Sequence, residues 1–432
     1  MPTDDPPRSA RPLSHESAAA AAVGEFMHMV RDAFAALGRE LIAIRPTPAR
    51  ALFATQAMLS VGLAVALAYA FHLSNIWWAA ISGFAVMQSK FSACAQRGVH
   101  RVVGTIAGAL IGAVAGSIIG DVPWIFVPLL GAIVGMSVFR ALVSDAGYAW
   151  VLGGVTALMV TFEAHRLVSA GATASFALLR VAEVIVGTVA CVGVSALFHA
   201  GVQHYRKTRG ARPVPRAQAA STVDRVDGVN AQSVTVMPSD AAQAVQALDA
   251  AHVAGAAQIA LAMRKRLAWQ GAWSVMILAS LAYAWNLPGF AQSMVTAVAV
   301  LILPASALGK PTNKPVAERM IQRFIGCLLA GAVSLALLPL LGDNPLACMI
   351  ALCAGVWIGC HVQTGTQGAS YVGRQFCIAF IMVFVQDHHW SSDPMPALMR
   401  LEGILAGIVV LSAVMAAGAA WASKRAPRAA MR

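Results

Sequence analysis

Apolar runs of about 20 residues recur along this chain, separated by short polar connections, and they limit its possible folds more than any other feature. A run of that length crosses the hydrocarbon core as a helix. Inside hydrocarbon the backbone has to satisfy its own hydrogen bonds, which favours helices further. Such runs cover roughly 51–71, 76–93, 102–120, 123–139, 146–162 and 174–199, then 266–286, 289–308, 320–341, 345–361, 369–386 and 398–422. Only 12% of the residues are charged and 58% are hydrophobic. A soluble domain carries about 25% charged residues, so a soluble body of this composition would lack a polar cover. Membrane β-strands would alternate over about 10 residues, and these runs do not. The expected fold is all-α and integral to the membrane, with about twelve spans.

The second half of the chain repeats the first. Gln56, Ser60, Val61, Leu67, Ala68, Tyr69 and Ala70 recur without a gap as Gln270, Ser274, Val275, Leu281, Ala282, Tyr283 and Ala284. Arg101-x-x-Gly104 recurs as Arg323-x-x-Gly326, Gly120-Asp121-x-Pro123 as Gly342-Asp343-x-Pro345, and Arg180 with Gly187 as Arg400 with Gly407. Apolar segments often agree by chance, but polar residues in one shared order do not. Each copy holds an even number of spans, so both copies face the same way. Parallel repeats of this kind imply a pseudo-two-fold axis along the membrane normal. The expected organisation is a cytoplasmic N-terminal segment 1–48, a first six-helix repeat 49–200, a cytoplasmic linker 201–263, a second six-helix repeat 264–423 and a basic tail 424–432. Within the first segment, Phe26, Val30, Phe34, Leu37 and Leu41 recur at helical spacing. This stripe suits either an interfacial helix or a helix packed on protein.

The net charge of +12 raises the question of nucleic acid, and the placement of the charges answers it. Lys90, Arg97, Arg140, Arg206, Lys207, Arg264, Lys265, Lys310 and Lys314 fall in one set of connections, while the alternate set is nearly bare. Lys and Arg concentrate on the cytoplasmic side of membrane proteins. No nucleic-acid partner is therefore expected, and both termini and the linker should be cytoplasmic. The start is polar and Pro-rich, so no cleaved leader is expected. The cysteines are scattered through apolar segments and read as small buried hydrophobes.

Several residues stand out within the spans. Gly104, Gly108, Gly112 and Gly116, with Gly326 in the second copy, have the small-residue spacing that brings membrane helices together. Arg101 and Arg323 read either as anchors at helix ends or as a symmetric pair of cations for an anionic solute. Arg180 and Glu183 are spaced to pair on one helix face, whereas Arg400 and Glu402 are not. Either carboxylate, if it lies within the bilayer, is a candidate proton carrier. Gln56 and Gln270 start matched polar stripes, and Gln88 closes the second span. Tyr371, Arg374 and Gln375 follow a polar connection and suit a cytoplasmic vestibule. Trp77, Trp78, Trp124, Trp285 and Trp421 sit at span ends as interface anchors. Gly309-Lys310 is no phosphate loop. Asp387, His388, His389 and Asp393 are the one cluster with metal-ligand chemistry, and no metal or other cofactor is expected.

Together these residues resemble the fusaric acid resistance / aromatic acid exporter family. The likeness is densest over Pro48-Ala49-Arg50-Ala51-Leu52, Trp78-Ala79-Ala80, Gln88 and Arg101-x-x-Gly104-Thr105-x-x-Gly108-Ala109, with a fainter copy over 264–345 and a further element at Arg180-x-x-Glu183. It implies an exporter of small aromatic or other organic acids in the bacterial inner membrane, often working with a periplasmic adaptor protein. The six-helix unit is also similar to that of plant aluminium-activated malate channels, which pair two subunits around an anion path. By that likeness the two halves would flank one path, and a homo-oligomer is a further expectation. A passive anion channel and a non-transporting scaffold are the alternatives. The resemblance does not extend to the large cytoplasmic domains that many family exporters carry after each half.

Overall fold

The computed structural model describes residues 15–43, 47–119, 122–167, 169–208, 239–285, 291–308, 313–342, 344–385 and 395–429. Among these there is no strand. The helices are α1 (His15–Ile42), α2 (Pro48–Ala70), α3 (Ile76–Ala85), α4 (Phe91–Ile119), α5 (Pro123–Val143), α6 (Gly147–Leu167) and α7 (Ala170–Thr208), then α8 (Ser239–Trp285), α9 (Ala291–Leu301), α10 (Lys314–Leu341), α11 (Pro345–Gln363), α12 (Ser370–Phe384) and α13 (Met395–Ala429). Among the described residues, 9 helices are long and apolar enough to cross a membrane, which makes this a multi-pass membrane protein. Three shorter apolar helices, α3, α9 and α12, fall below that length.

Local sequence sets the helix starts. Pro48, Pro123 and Pro345 stand in the first turn, where a missing N–H costs nothing. The Asn344 side chain accepts from the N–H groups of Leu346 and Ala347 at 3.0 and 3.2 Å and caps α11.

The short helices depart from the sequence expectation. Residues 76–93 and 289–308 read as full spans, yet α3 ends at Ala85 and α9 at Leu301. Pro304 explains the second break, because it lacks an N–H and disfavours helix at Leu303. In the first copy the chain leaves the helix after Ala85 and passes Gln88 before α4 starts at Phe91. Irregular backbone at membrane depth survives where protein surrounds it. Ile76, Ala79, Ala80, Met294, Ala297 and Leu301 on these helices are fully buried.

The helices fall into two sets with the same contact scheme. In the first, α4 packs on α6 and α7, α3 on α2 and α7, and α5 on α6. In the second, α10 packs on α12 and α13, α9 on α8 and α13, and α11 on α12. The sets meet where α5 packs on α8, α11 on α2, α3 on α12 and α9 on α6. The α4 glycines face α6. A Cβ on Gly104 would stand 2.4 Å from the Ala149 carbonyl oxygen, and one on Gly108 2.2 Å from that of Gly153. Gly112 and Gly116 face Val160 and Ala164, and Gly326 faces the Val372 carbonyl.

Helix α1 docks through its small-residue face, with Ala33, Ala36 and Leu37 buried against Ile321, Ile325 and Val372. Phe26, Phe34 and Leu41 stay exposed. The helix therefore combines the two readings of its stripe, with one face on protein and the other outward. Its end is fixed by Glu40, which is 2% exposed and pairs with Arg50 at 2.5 Å. Glu40 also accepts from the Gln367 N–H at 3.0 Å, and Arg50 donates to the His361 carbonyl at 2.6 Å.

Residues 209–238 of the expected linker, the 387–393 cluster, Gly309-Lys310, Gly120, Asp121 and Asp343 lie outside the described residues.

Candidate functional site

A column of arginines runs through each helix set, beside the broken helix. In the first set it starts at Arg97, whose guanidinium carbon lies 4.0 Å from the centre of the Tyr148 ring. One turn deeper on α4, Arg101 is 3% exposed and donates to the Tyr148 hydroxyl at 2.9 Å. Arg101 lies within electrostatic reach of Arg180 on α7. Arg180 is buried and stacks 3.9 Å above the Trp78 ring, with Trp77 and Phe176 also beside it. Its Nη1 is 3.4 Å from Glu183 Oε2. Glu183 is completely buried and accepts from the Asn75 N–H, at the entry to α3, at 3.2 Å.

The second set repeats the column with different partners. Arg319 stacks over the Tyr371 ring at 4.9 Å and donates to the Ile302 carbonyl, which the end of α9 leaves open. A cation suits the carbonyl end of a helix. Arg323, one turn deeper, donates to Gln375 Oε1 at 2.5 Å and to Thr296 Oγ1 at 3.3 Å. It lies within electrostatic reach of Arg400, which is buried and bonded to the Met382 sulfur.

Arg374 on α12 joins the columns. Its electrostatic neighbours are Arg97 and Tyr148 of the first set and Tyr371 and Arg319 of the second. A cavity of about 350 Å³ opens beside it, lined by Pro304, Arg319, Ser370, Tyr371 and Arg374 among others. Gln375 sits deeper, bonded to Arg323.

The balance of charge is the chemical content of this arrangement. Arg101, Arg180, Arg323 and Arg400 are buried among few acids, and Glu183 is the carboxylate buried with them. Unpaired charge is expensive in a low-dielectric interior. An anion would offset this excess, and the planar guanidinium fork suits a carboxylate.

The other residues singled out from sequence are distributed as follows. Gln56 and Gln270 are buried, and the Gln270 amide has no hydrogen-bond partner among the described residues. Gln88 lies in the non-helical stretch after α3 and donates to the Met87 carbonyl at 2.6 Å. Glu402, unlike Glu183, is exposed on α13. Trp124 and Trp285 are exposed at helix ends and Trp421 at the end of the apolar stretch of α13, as anchors would be. Trp77 and Trp78 are not such anchors, because their rings turn inward over Arg180, where the ring quadrupole attracts the cation.

Sequence reading overlooked Glu40, Tyr148, Thr296 and Asn75 as site residues. Tyr148 was accessible to the repeat argument, since it and Tyr371 each follow the first residue of matched helices. Among the described residues, no group of three or more His, Cys, Asp or Glu could hold a metal ion.

Comparison with known proteins adds a family. The sequence profile described as fusaric acid resistance protein-like matches residues 63–194 and 303–414. Over 158 residues the chain is 28% identical to the "Uncharacterized transporter YdhK" of Escherichia coli, a stretch covering 36% of this chain and 23% of that protein. Over 144 residues it is 30% identical to the protein of the same name from Salmonella typhimurium, covering 33% and 21%. The match thus spans less than a quarter of the length of these curated relatives. No solved structure matches the chain.

Proposed function

Because the chain belongs to the fusaric acid resistance protein-like family, we propose that it exports small organic acid anions, aromatic ones foremost, across the bacterial inner membrane. The reading takes the two helix sets as parallel six-helix repeats about an axis along the membrane normal, with both termini cytoplasmic. It is supported by the matched contact scheme and by the matched breaks at α3 and α9. Short hydrophobic segments at corresponding positions of two halves point to a transporter's solute site.

The observation that carries the reading is the pair of arginine columns, buried beside the two short helices with few acids among them. The anion enters at the cavity of Tyr371 and Arg374, passes Arg101 and Arg323, and is guided by Gln56, Gln270, Gln88 and Gln375. Arg97 and Arg319 sit over tyrosine rings, so an aromatic acid would find a cation and an aromatic group together.

With a cytoplasm-negative potential, outward movement of one negative charge gains about 2.3 kcal/mol per 100 mV. Proton exchange through Glu183, beside Arg180, is the second possible drive. Glu402 and Arg400 offer no equivalent pair, since Glu402 faces outward.

The test is flux into inside-out vesicles across a panel of aromatic and aliphatic acids, paired with growth protection. Saturable flux of carboxylates supports the reading, and flux of cations or neutral solutes alone refutes it.

A further inference from the structure

A second cavity lies away from the arginines, on the outer side of the first helix set. It is a groove of about 500 Å³ between α4 and α5, with α6 as its floor. Its lining is apolar, including Gly104, Gly108, Ala132, Met136, Trp150 and Gly153. Its rim faces outward, since Val103, Ile111 and Met136 are 57%, 54% and 54% exposed.

In the second helix set, side chains occupy the corresponding place. The contact of Gly104 with the Ala149 carbonyl is matched by that of Gly326 with the Val372 carbonyl. In that register Gly153 and Ala157 correspond to Phe376 and Phe380. The Phe380 ring presses on Gly355, where a Cβ would meet it at 2.3 Å, and Phe376 lies beside Gly359. Stacked rings fill that side, with centroids 5.4 Å apart. The first set has glycine and alanine instead, leaving space that no described residue fills. A void there would forfeit dispersion contacts along its whole wall.

Size and charge select the occupant. From Val103 to Ile111 the groove runs about 12 Å, at about 1.5 Å per helical residue. A hydrocarbon chain is slender enough to lie along it, and its aliphatic surface matches the apolar lining. At the end marked by Met136 and Trp150, the exposed Arg140 lies one turn beyond Met136, its guanidinium 5.5 Å from the Trp150 ring centre. Among the described residues Arg140 forms no ion pair. A cation on an aromatic ring at a span end stands at headgroup depth.

We propose that this groove is a lipid site, in which an acyl chain of an anionic phospholipid lies along Gly104, Gly108 and Gly153 while its phosphate rests on Arg140. The site is independent of the solute path and of the transport reading.

Native mass spectrometry of the full chain, purified in mild detergent and from nanodiscs of phosphatidylglycerol or phosphatidylcholine, tests the assignment. The wild type should retain one phospholipid, with phosphatidylglycerol favoured about fivefold, the effect of one arginine near an anionic surface. The double substitution Ala107→Phe with Ala132→Phe, at exposed positions lining the groove, should cut retained lipid at least tenfold. Arg140→Gln should keep the lipid but lose the headgroup preference. A wild type that retains no lipid, or a filled variant that retains as much, overturns the proposal. So does an Arg140→Gln variant with unchanged preference. A filled variant that turns from dimer to monomer would identify a second copy as the occupant and overturn it as well.

Discussion

Replacing Arg101 and Arg323 together by glutamine isolates the charge at the centre of both columns. Glutamine ends about where the arginine Nε stands, so it keeps a partner in Thr296 in one set and loses the Nη1 bonds to Tyr148 and Gln375. The lost bonds cost about 0.5–1.5 kcal/mol each. That cost is offset by relief of repulsion, because Arg101 neighbours Arg180 and Arg323 neighbours Arg400. The variant should therefore insert and give a monodisperse peak like wild type. Binding of the anion should suffer far more. A hydrogen bond to a charged group is worth about 1.5–3 kcal/mol, so two lost guanidinium contacts remove about 3–6 kcal/mol. At about 1.4 kcal/mol per tenfold, affinity falls by about 10²–10⁴. The assay is concentration-dependent uptake of a carboxylate into inside-out vesicles, with protein per vesicle normalised by immunoblot. Uptake within a factor of two of wild type, at matched insertion, would refute a role for these charges in the path.

Other outcomes follow from the packing and the ion pairs. Gly108→Val should lower the melting temperature in detergent and reduce yield, by overpacking of about 1–3 kcal/mol or more, because a Cβ there already meets the Gly153 carbonyl. Gly193→Ala, with nothing within 4 Å, is its neutral control. Glu183→Gln leaves Arg180 buried beside a neutral partner and should cost about 3–5 kcal/mol. Combining it with Arg180→Gln should recover much of that stability, and a double variant no better than Glu183→Gln would contradict the pairing. Glu40→Ala should loosen α1, so that maleimide labels Ala33→Cys faster than in the otherwise wild-type background. Equal labelling rates would mean that apolar contacts alone hold that helix.

The sequence by itself determined the fold class and much of its outline. Apolar runs of bilayer length dictate helices whatever their neighbours are, because hydrocarbon leaves the backbone no other partner. The recurrence of Arg101, Gly104, Gln56 and Arg180 at matched positions carried the expectation of equivalent helices, and several helix contacts recur between the two sets. Spacing also carried the Arg180–Glu183 pair, since i,i+3 neighbours meet within a single helix.

Only the tertiary structure decided the rest. The breaks after α3 and α9 are invisible to hydropathy, which scores Val86-Met87 and Ile302-Leu303 as apolar whether helical or not. That Glu183 is buried and Glu402 exposed depends on which helix each faces. The inward turn of Trp78 over Arg180, the burial of Glu40 beneath Arg50 and the convergence on Arg374 all join residues far apart in sequence. Periodicity reports which face of a helix is apolar, but a membrane helix is apolar on nearly every face. The choice of neighbour therefore rests on shape, and shape is settled only when the helices pack.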